Sequence, residues 1–154
     1  MKKYLFTILV AMNIHAIYAD NHFPNIQTIP HLKDFKNTQS FEKYIKNKEQ
    51  ECITKHHGIK VKQCLLEDQF WQRELNFYYH QLHEKLNSKQ QTILERLHDN
   101  WLQLKAETVI FNQLLDINSK SLNSNNYDPH LNPNTKMLKA RTLILKHWYE
   151  SIPD

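Results

Sequence analysis

Glycine is nearly missing from this chain, and that one shortage excludes several function classes. Gly58 is the only glycine among 154 residues. A phosphate-cradling P-loop, a dinucleotide-binding turn and the nucleophile elbow of serine hydrolases each need two or more glycines at fixed offsets. None can be built here. An all-β sandwich or barrel needs turn residues about every 8–12 positions, and one glycine with five prolines does not supply them. Long apolar runs are also missing. A membrane-crossing helix needs about 20 apolar residues in succession. The best candidate, residues 4–19, is shorter and is interrupted by Asn13 and His15.

Blocks of one charge are absent as well. The formal net charge is +4, and without Lys2 and Lys3 the remainder carries 18 basic against 16 acidic residues, a net of +2. The charges interleave, as in Glu42, Lys43, Lys46, Lys48, Glu49 and Glu51, which is the pattern of solvated helix faces. A nucleic-acid binder would carry a basic stripe or block, so no nucleic-acid partner is expected.

The start of the chain has export chemistry. Lys2 and Lys3 precede a mostly apolar run that ends Ala16, Ile17, Tyr18, Ala19 before Asp20. A positive start, a short apolar stretch and small residues at the cut make a signal peptide. Residues 1–19 are therefore expected to be removed after Ala19, leaving the rest periplasmic or secreted. The alternative is a retained membrane anchor, which the length and the two polar residues disfavour. No cysteine follows the run to carry a lipid, so no stable membrane anchor is expected after cleavage.

Residues 20–39 contain Pro24 and Pro30 and no sustained periodicity, which predicts an extended arm. Ser40 can cap a first helix starting at Phe41, with Phe41, Tyr44, Ile45, Cys52 and Ile53 on one face. A second helix is expected over residues 61–86. Trp71, Leu75, Tyr78, Tyr79, Leu82 and Leu86 recur there every three or four positions, the helical period, and Leu66, Phe70 and Phe77 widen the stripe. Ser88 and Gln91 match a capping box. The third helix then repeats Ile93, Leu97, Trp101, Leu104, Thr108, Phe111 and Leu115 at spacings of 4, 4, 3, 4, 3 and 4. Residues 118–134, rich in Asn and Ser, read as a loop long enough to be functional or mobile. A last helix from about residue 135 to 151 buries Met137, Leu138, Leu145 and Trp148. The expected fold is all-α, a small bundle of about four helices over residues 40–154 with a long central antiparallel hairpin.

Cys52 and Cys64 are the only cysteines. An even pair in an exported chain reads as a disulfide; two free buried thiols are the alternative. Twelve residues of continuous helix would part the Cα atoms by about 18 Å, whereas a disulfide needs about 4.4–6.8 Å. The chain must therefore turn back between them, and Gly58 is placed to supply that turn, with His56 and His57 as cations at a helix C-terminus.

Ten histidines raise the question of a metal. His80 and His83 share a helix face, with His98 and Asp99 on the next helix, but the H-E-x-x-H motif is absent. No metal and no cofactor are expected, and no residue set suggests catalysis. Glu67 and Asp68 read as surface charge near a helix start. Tyr78, Tyr79, Trp101 and Trp148 read as core before they read as a binding groove.

The stretch from Leu75 to Leu86, with Leu75, Asn76, Tyr79, Leu82 and Leu86 in the pattern L-N-x-x-Y-x-x-L-x-x-x-L, resembles the LprI-like lysozyme inhibitor family. In that family a second helix follows with the pattern L-x-x-x-Q-x-x-W-x-x-x-R-D-x-x-C. Here Leu94 and Trp101 match it, while His98, Lys105, Ala106 and Val109 replace the Gln, the Arg-Asp pair and the Cys. Cys64 upstream and the closing Leu138, Arg141 and Leu145 are also similar. The resemblance spans roughly residues 51–148. It implies a helical fold in which Leu75, Leu82, Leu86, Leu94, Leu97, Trp101 and Leu104 pack the hairpin. Asn76 either bonds across helices or is exposed.

The resemblance further implies a periplasmic protein that binds a lysozyme or related peptidoglycan hydrolase and blocks it sterically, with residues 118–134 as the presenting loop. Lysozymes of animals are typically basic, and this chain is not acidic, so another hydrolase or a local acidic patch would be needed. The competing expectation is a non-catalytic cell-envelope interaction or structural protein, or an immunity protein against a wall-degrading toxin.

Overall fold

A computed structural model of the chain describes residues 25–55, 64–115 and 132–153. The expected leader, the expected turn at His56, His57 and Gly58, and the expected loop as far as residue 131 fall outside the described residues. Within them the protein is all-α, with four α-helices and no strand. They are α1 (Thr38–Lys55), α2 (Glu67–Lys85), α3 (Ser88–Leu114) and α4 (Pro133–Ser151). No described helix is long and apolar enough to cross a membrane.

The core forms around α2. Phe70, Trp71, Leu75, Tyr78 and Leu82 are buried, at helical spacings that turn one wide face inward. α1 runs antiparallel to it, with Phe41 set edge-on against Trp71 and Phe70. α4 makes the most extensive contact with α2 and runs in the same direction. Asn134 meets Asp68, Thr142 donates to the Trp71 carbonyl, and Tyr149 lies beside Tyr78. Two residues separate α2 from α3, which runs the opposite way, with His83 3.1 Å from Glu95 and the Tyr79 ring tilted against His98.

Cys52 and Cys64 form a disulfide, with their Cα atoms 5.5 Å apart. It staples the end of α1 to the approach of α2, and the loop it closes corresponds to about 3 kcal/mol of chain entropy. Glu49, one turn earlier on α1, is buried. Its Oε1 accepts from the backbone amides of Leu66 and Glu67 at 2.7 and 2.9 Å. α2 has no capping side chain of its own at Leu66, so α1 supplies the carboxylate that a helix N-terminus needs.

Several boundaries differ from those expected. α1 begins at Thr38, because Asn37 is a better cap than Ser40: the Asn37 Oδ1 accepts from the Ser40 amide, and Ser40 Oγ accepts from the Asn37 amide. The same shift occurs before α3, where the reciprocal bonds join Asn87 and Gln90 rather than Ser88 and Gln91. α2 begins at Glu67 rather than residue 61; the disulfide holds Cys64 outside the helix. α4 begins at Pro133, whose fixed φ suits a first helical position, with Asn132 capping.

The arm is not simply extended. Two 3₁₀ turns, Ile26–Thr28 and Leu32–Asp34, dock it on the bundle with Ile29 and Leu32 buried. Glu67 and Asp68 stand at the start of α2 as expected but are not surface charge. Glu67 is buried, and Asp68 accepts from Asn134 at 2.8 Å and from the Thr135 hydroxyl.

Candidate functional site

Helical spacing puts Gln69, Gln72, Arg73 and Asn76 on one face of α2, because residues three, four and seven apart are neighbours there. That polar face is one wall of an open groove of about 610 Å³. Lys105 of α3 forms the facing wall, Asn134 and Leu138 of α4 close one side, and Ile26 and Gln27 of the arm close the other. Asn76 and Lys105, from two different helices, thus share one groove. Asn76 is exposed, and its Oδ1 accepts from the Gln72 Nε2 at 3.0 Å. It makes its bond along its own helix.

The groove is lined mainly by carboxamides, which offer donors and acceptors at once. Arg73 serves as structure on its wall. Its guanidinium donates to the Ile26, Ile29 and Pro30 carbonyls and to Glu74, so it ties the arm to α2. Lys105 lies with Nζ 5.8 Å from the centre of the Trp101 ring. Trp101 stacks on His98, and His98 packs 4.4 Å from Tyr79. Tyr79, His98, Trp101 and Lys105 thus form an aromatic and cationic ladder between α2 and α3. Burial raises the Tyr79 phenol above its usual range, and Glu95 and Asp99 add to the effect.

Arg141 approaches this ladder from α4. It is 8% exposed, and its guanidinium lies 5.6 Å from the Trp148 ring. Its Nε and Nη2 have no hydrogen-bond partner among the described residues, and neither has Nδ1 of His98. Burial lowers the Arg141 pKa. His98 is held below the ordinary histidine value first by burial and then by the Arg141 charge. The Arg141 guanidinium thus leaves donors available for an acceptor oxygen, and the His98 Nδ1 beside it can donate or accept according to its tautomer.

The other expected residues divide into two groups. Leu75, Leu82 and Leu94 are buried, and Leu86 is half-buried against the core. Leu97 and Leu104 are 41% and 55% exposed, so neither fills the interior as expected. α3 packs through Leu94, His98 and Trp101 and turns the neighbouring edge of its stripe outward. Of the four aromatics read as core, Tyr78 is buried, Tyr79 and Trp101 are half-buried, and Trp148 is exposed. Trp148 is also a correction to the expected buried face of the last helix.

Sequence reasoning missed Gln69, Gln72 and Asn134 as groove residues. Polar residues at 69, 72 and 76 repeat at helical spacing, and this was the available signal. Among the described residues no three His, Cys, Asp or Glu side chains converge on a metal-sized site. His80 is exposed, and His83 pairs with Glu95. No family model, no curated protein and no solved structure matches the chain.

Proposed function

We propose that this chain is an exported, non-catalytic protein that binds a lysozyme or a related peptidoglycan hydrolase and inhibits it by blocking its cleft. One observation carries the reading: Asn76, which matches the LprI-like pattern, and Lys105, which stands where that pattern has Arg, line one carboxamide-rich groove. Carboxamides can pair with the backbone of a protein loop, whose amides and carbonyls alternate as donors and acceptors. Lys105 adds a cation suited to the carboxylates that most glycoside hydrolases carry in their clefts. The disulfide supports an oxidising destination.

The mechanism is steric. A bundle stapled by a disulfide and by the buried Glu49 and Glu74 contacts loses little freedom on binding, which favours affinity. The reading is tested by titrating the purified, oxidised protein into a peptidoglycan-clearing assay with a panel of lysozymes and bacterial wall hydrolases. Saturable inhibition of one of them supports it. A folded protein that neither inhibits nor binds any of them sinks it.

A second reading is an envelope interaction protein without a hydrolase target. The exposed apolar side chains of α3 favour it, since such surface marks a contact between protein chains, alike or unlike, without requiring that an enzyme be blocked.

A further inference from the structure

A neighbouring face of α3 has a different chemistry from the groove. Ile93, Leu97, Leu104, Phe111 and Leu115 follow one another at spacings of 4, 7, 7 and 4. At 3.6 residues per turn they fall within an arc of about 40°. All five are exposed, at 41%, 41%, 55%, 60% and 51%. Beside them lie Leu94 and Trp101, which the bundle covers wholly or in part. Leu94, Leu97, Trp101, Leu104, Thr108, Phe111 and Leu115 together repeat at 3 and 4, the heptad spacing of paired helices. The molecule uses one edge of that seam and leaves the other uncovered. The uncovered edge continues onto α4 through Trp148, which shares a shallow apolar pocket of about 390 Å³ with Ile93 and Leu97.

We infer that this face of α3 is a self-association surface on which the α3 helix of a second copy packs, forming a two-fold dimer. Three features select a second copy. The exposed stripe with Trp148 amounts to on the order of 500 Å² of apolar side chain, near the upper limit for the largest patch on a monomer. A standard interface covers roughly 800 Å² per partner, so the stripe would be the apolar centre of such a contact and not the whole of it. The stripe contains no charged residue, so it lacks the pattern that selects a foreign partner and has the apolar character of homodimer contacts. A straight stripe at heptad spacing is also complementary to itself, which an isologous interface requires. Lys105, the α3 residue of the groove, stands about 100° around the helix from the centre of the stripe, so it is not part of the paired face.

The test is sedimentation velocity on the purified protein over a wide concentration range. We expect a dimer of twice the chain mass. Leu104→Glu combined with Phe111→Glu should weaken association by roughly 30-fold or more, the effect of losing central contacts. Both positions are exposed, so helical circular dichroism should be unchanged. Gln72→Ala, in the groove, should leave the dimer intact. A protein that stays monomeric at every concentration overturns the inference. So does a dimer that the Leu104→Glu, Phe111→Glu variant does not dissociate while still folded.

Discussion

The carboxylate of Glu74 and the backbone amide of Leu32 are 2.9 Å apart, although 42 residues separate them in the chain. Glu74 is fully buried, and it also holds His31 Nδ1 at 3.0 Å and the Arg73 guanidinium. One acid therefore joins the arm to α2, and Arg73 completes the joint through three arm carbonyls. Replacing Glu74 with Ala leaves a buried cation and a buried amide unpaired. We expect a loss of about 3–5 kcal/mol, read by urea denaturation. Hydrogen exchange at Leu32 should rise by more than exchange in α4.

The disulfide gives a second test. Cys52→Ser with Cys64→Ser, or reduction, should lower stability by about 3 kcal/mol. The loss should appear mainly in α1 and the start of α2, because the Glu49 carboxylate that caps α2 depends on the end of α1 being held. Near-complete retention of the melting temperature would show that the Glu49 contacts suffice.

His98 makes stability depend on pH. Its pKa in the folded protein lies below the ordinary value of 6.5, from burial first and then Arg141. Asp99 opposes the shift, and His80 adds weakly to it. Above pH 6.5 the imidazole is neutral in both states, and the folded state bears no penalty. As the pH falls below 6.5 the unfolded chain binds the proton first, so stability declines until the folded-state pKa is passed. His98→Gln removes that titration and keeps a polar side chain. The wild-type melting temperature should fall faster between pH 6.5 and pH 5 than that of His98→Gln. Parallel curves would contradict the account.

The two edges of the α3 stripe should respond differently to truncation. Leu94→Ala removes a side chain that is 3% exposed and should cost about 2–5 kcal/mol. Leu104→Ala, in dilute protein where association does not contribute, should stay within about 0.5 kcal/mol. Thermal or urea melts of the two variants give the comparison directly.

Much of the fold was legible from these same residues. Trp71, Leu75, Tyr78 and Leu82 repeat with the period of a helix and are buried as that period implies. The distance rule for Cys52 and Cys64 forced a chain reversal, and the disulfide is present. The caps were misread by one to three residues because Ser40 and Ser88 compete with Asn37 and Asn87, and local pattern does not rank them. Periodicity alone also failed on α3. It shows that an apolar stripe exists but not which edge the bundle covers, and α4 reaches only the edge at Leu94. The buried acids Glu49 and Glu74 were not legible, since the backbone amides they hold, at Leu66, Glu67 and Leu32, lie 17, 18 and 42 residues away in the chain.

The groove was half legible. Asn76 and Lys105 stood out through the resemblance, but they belong to different helices and only the antiparallel register of α2 and α3 brings them together. Nothing in the sequence sets Gln69 and Gln72 apart from other polar helix residues, and Asn134 ends the expected loop 118–134 although it lies in the first turn of α4.

The most direct measurement is inhibition of a peptidoglycan hydrolase by the wild-type protein and by an Asn76→Arg, Lys105→Glu variant with unchanged melting behaviour. The account predicts saturable, stoichiometric inhibition of at least one hydrolase by the wild type. In the variant the inhibition should weaken by roughly 30-fold or more, as for loss of a central interface contact. Absence of inhibition by the folded wild type across the panel, or equal inhibition by the variant, would contradict it.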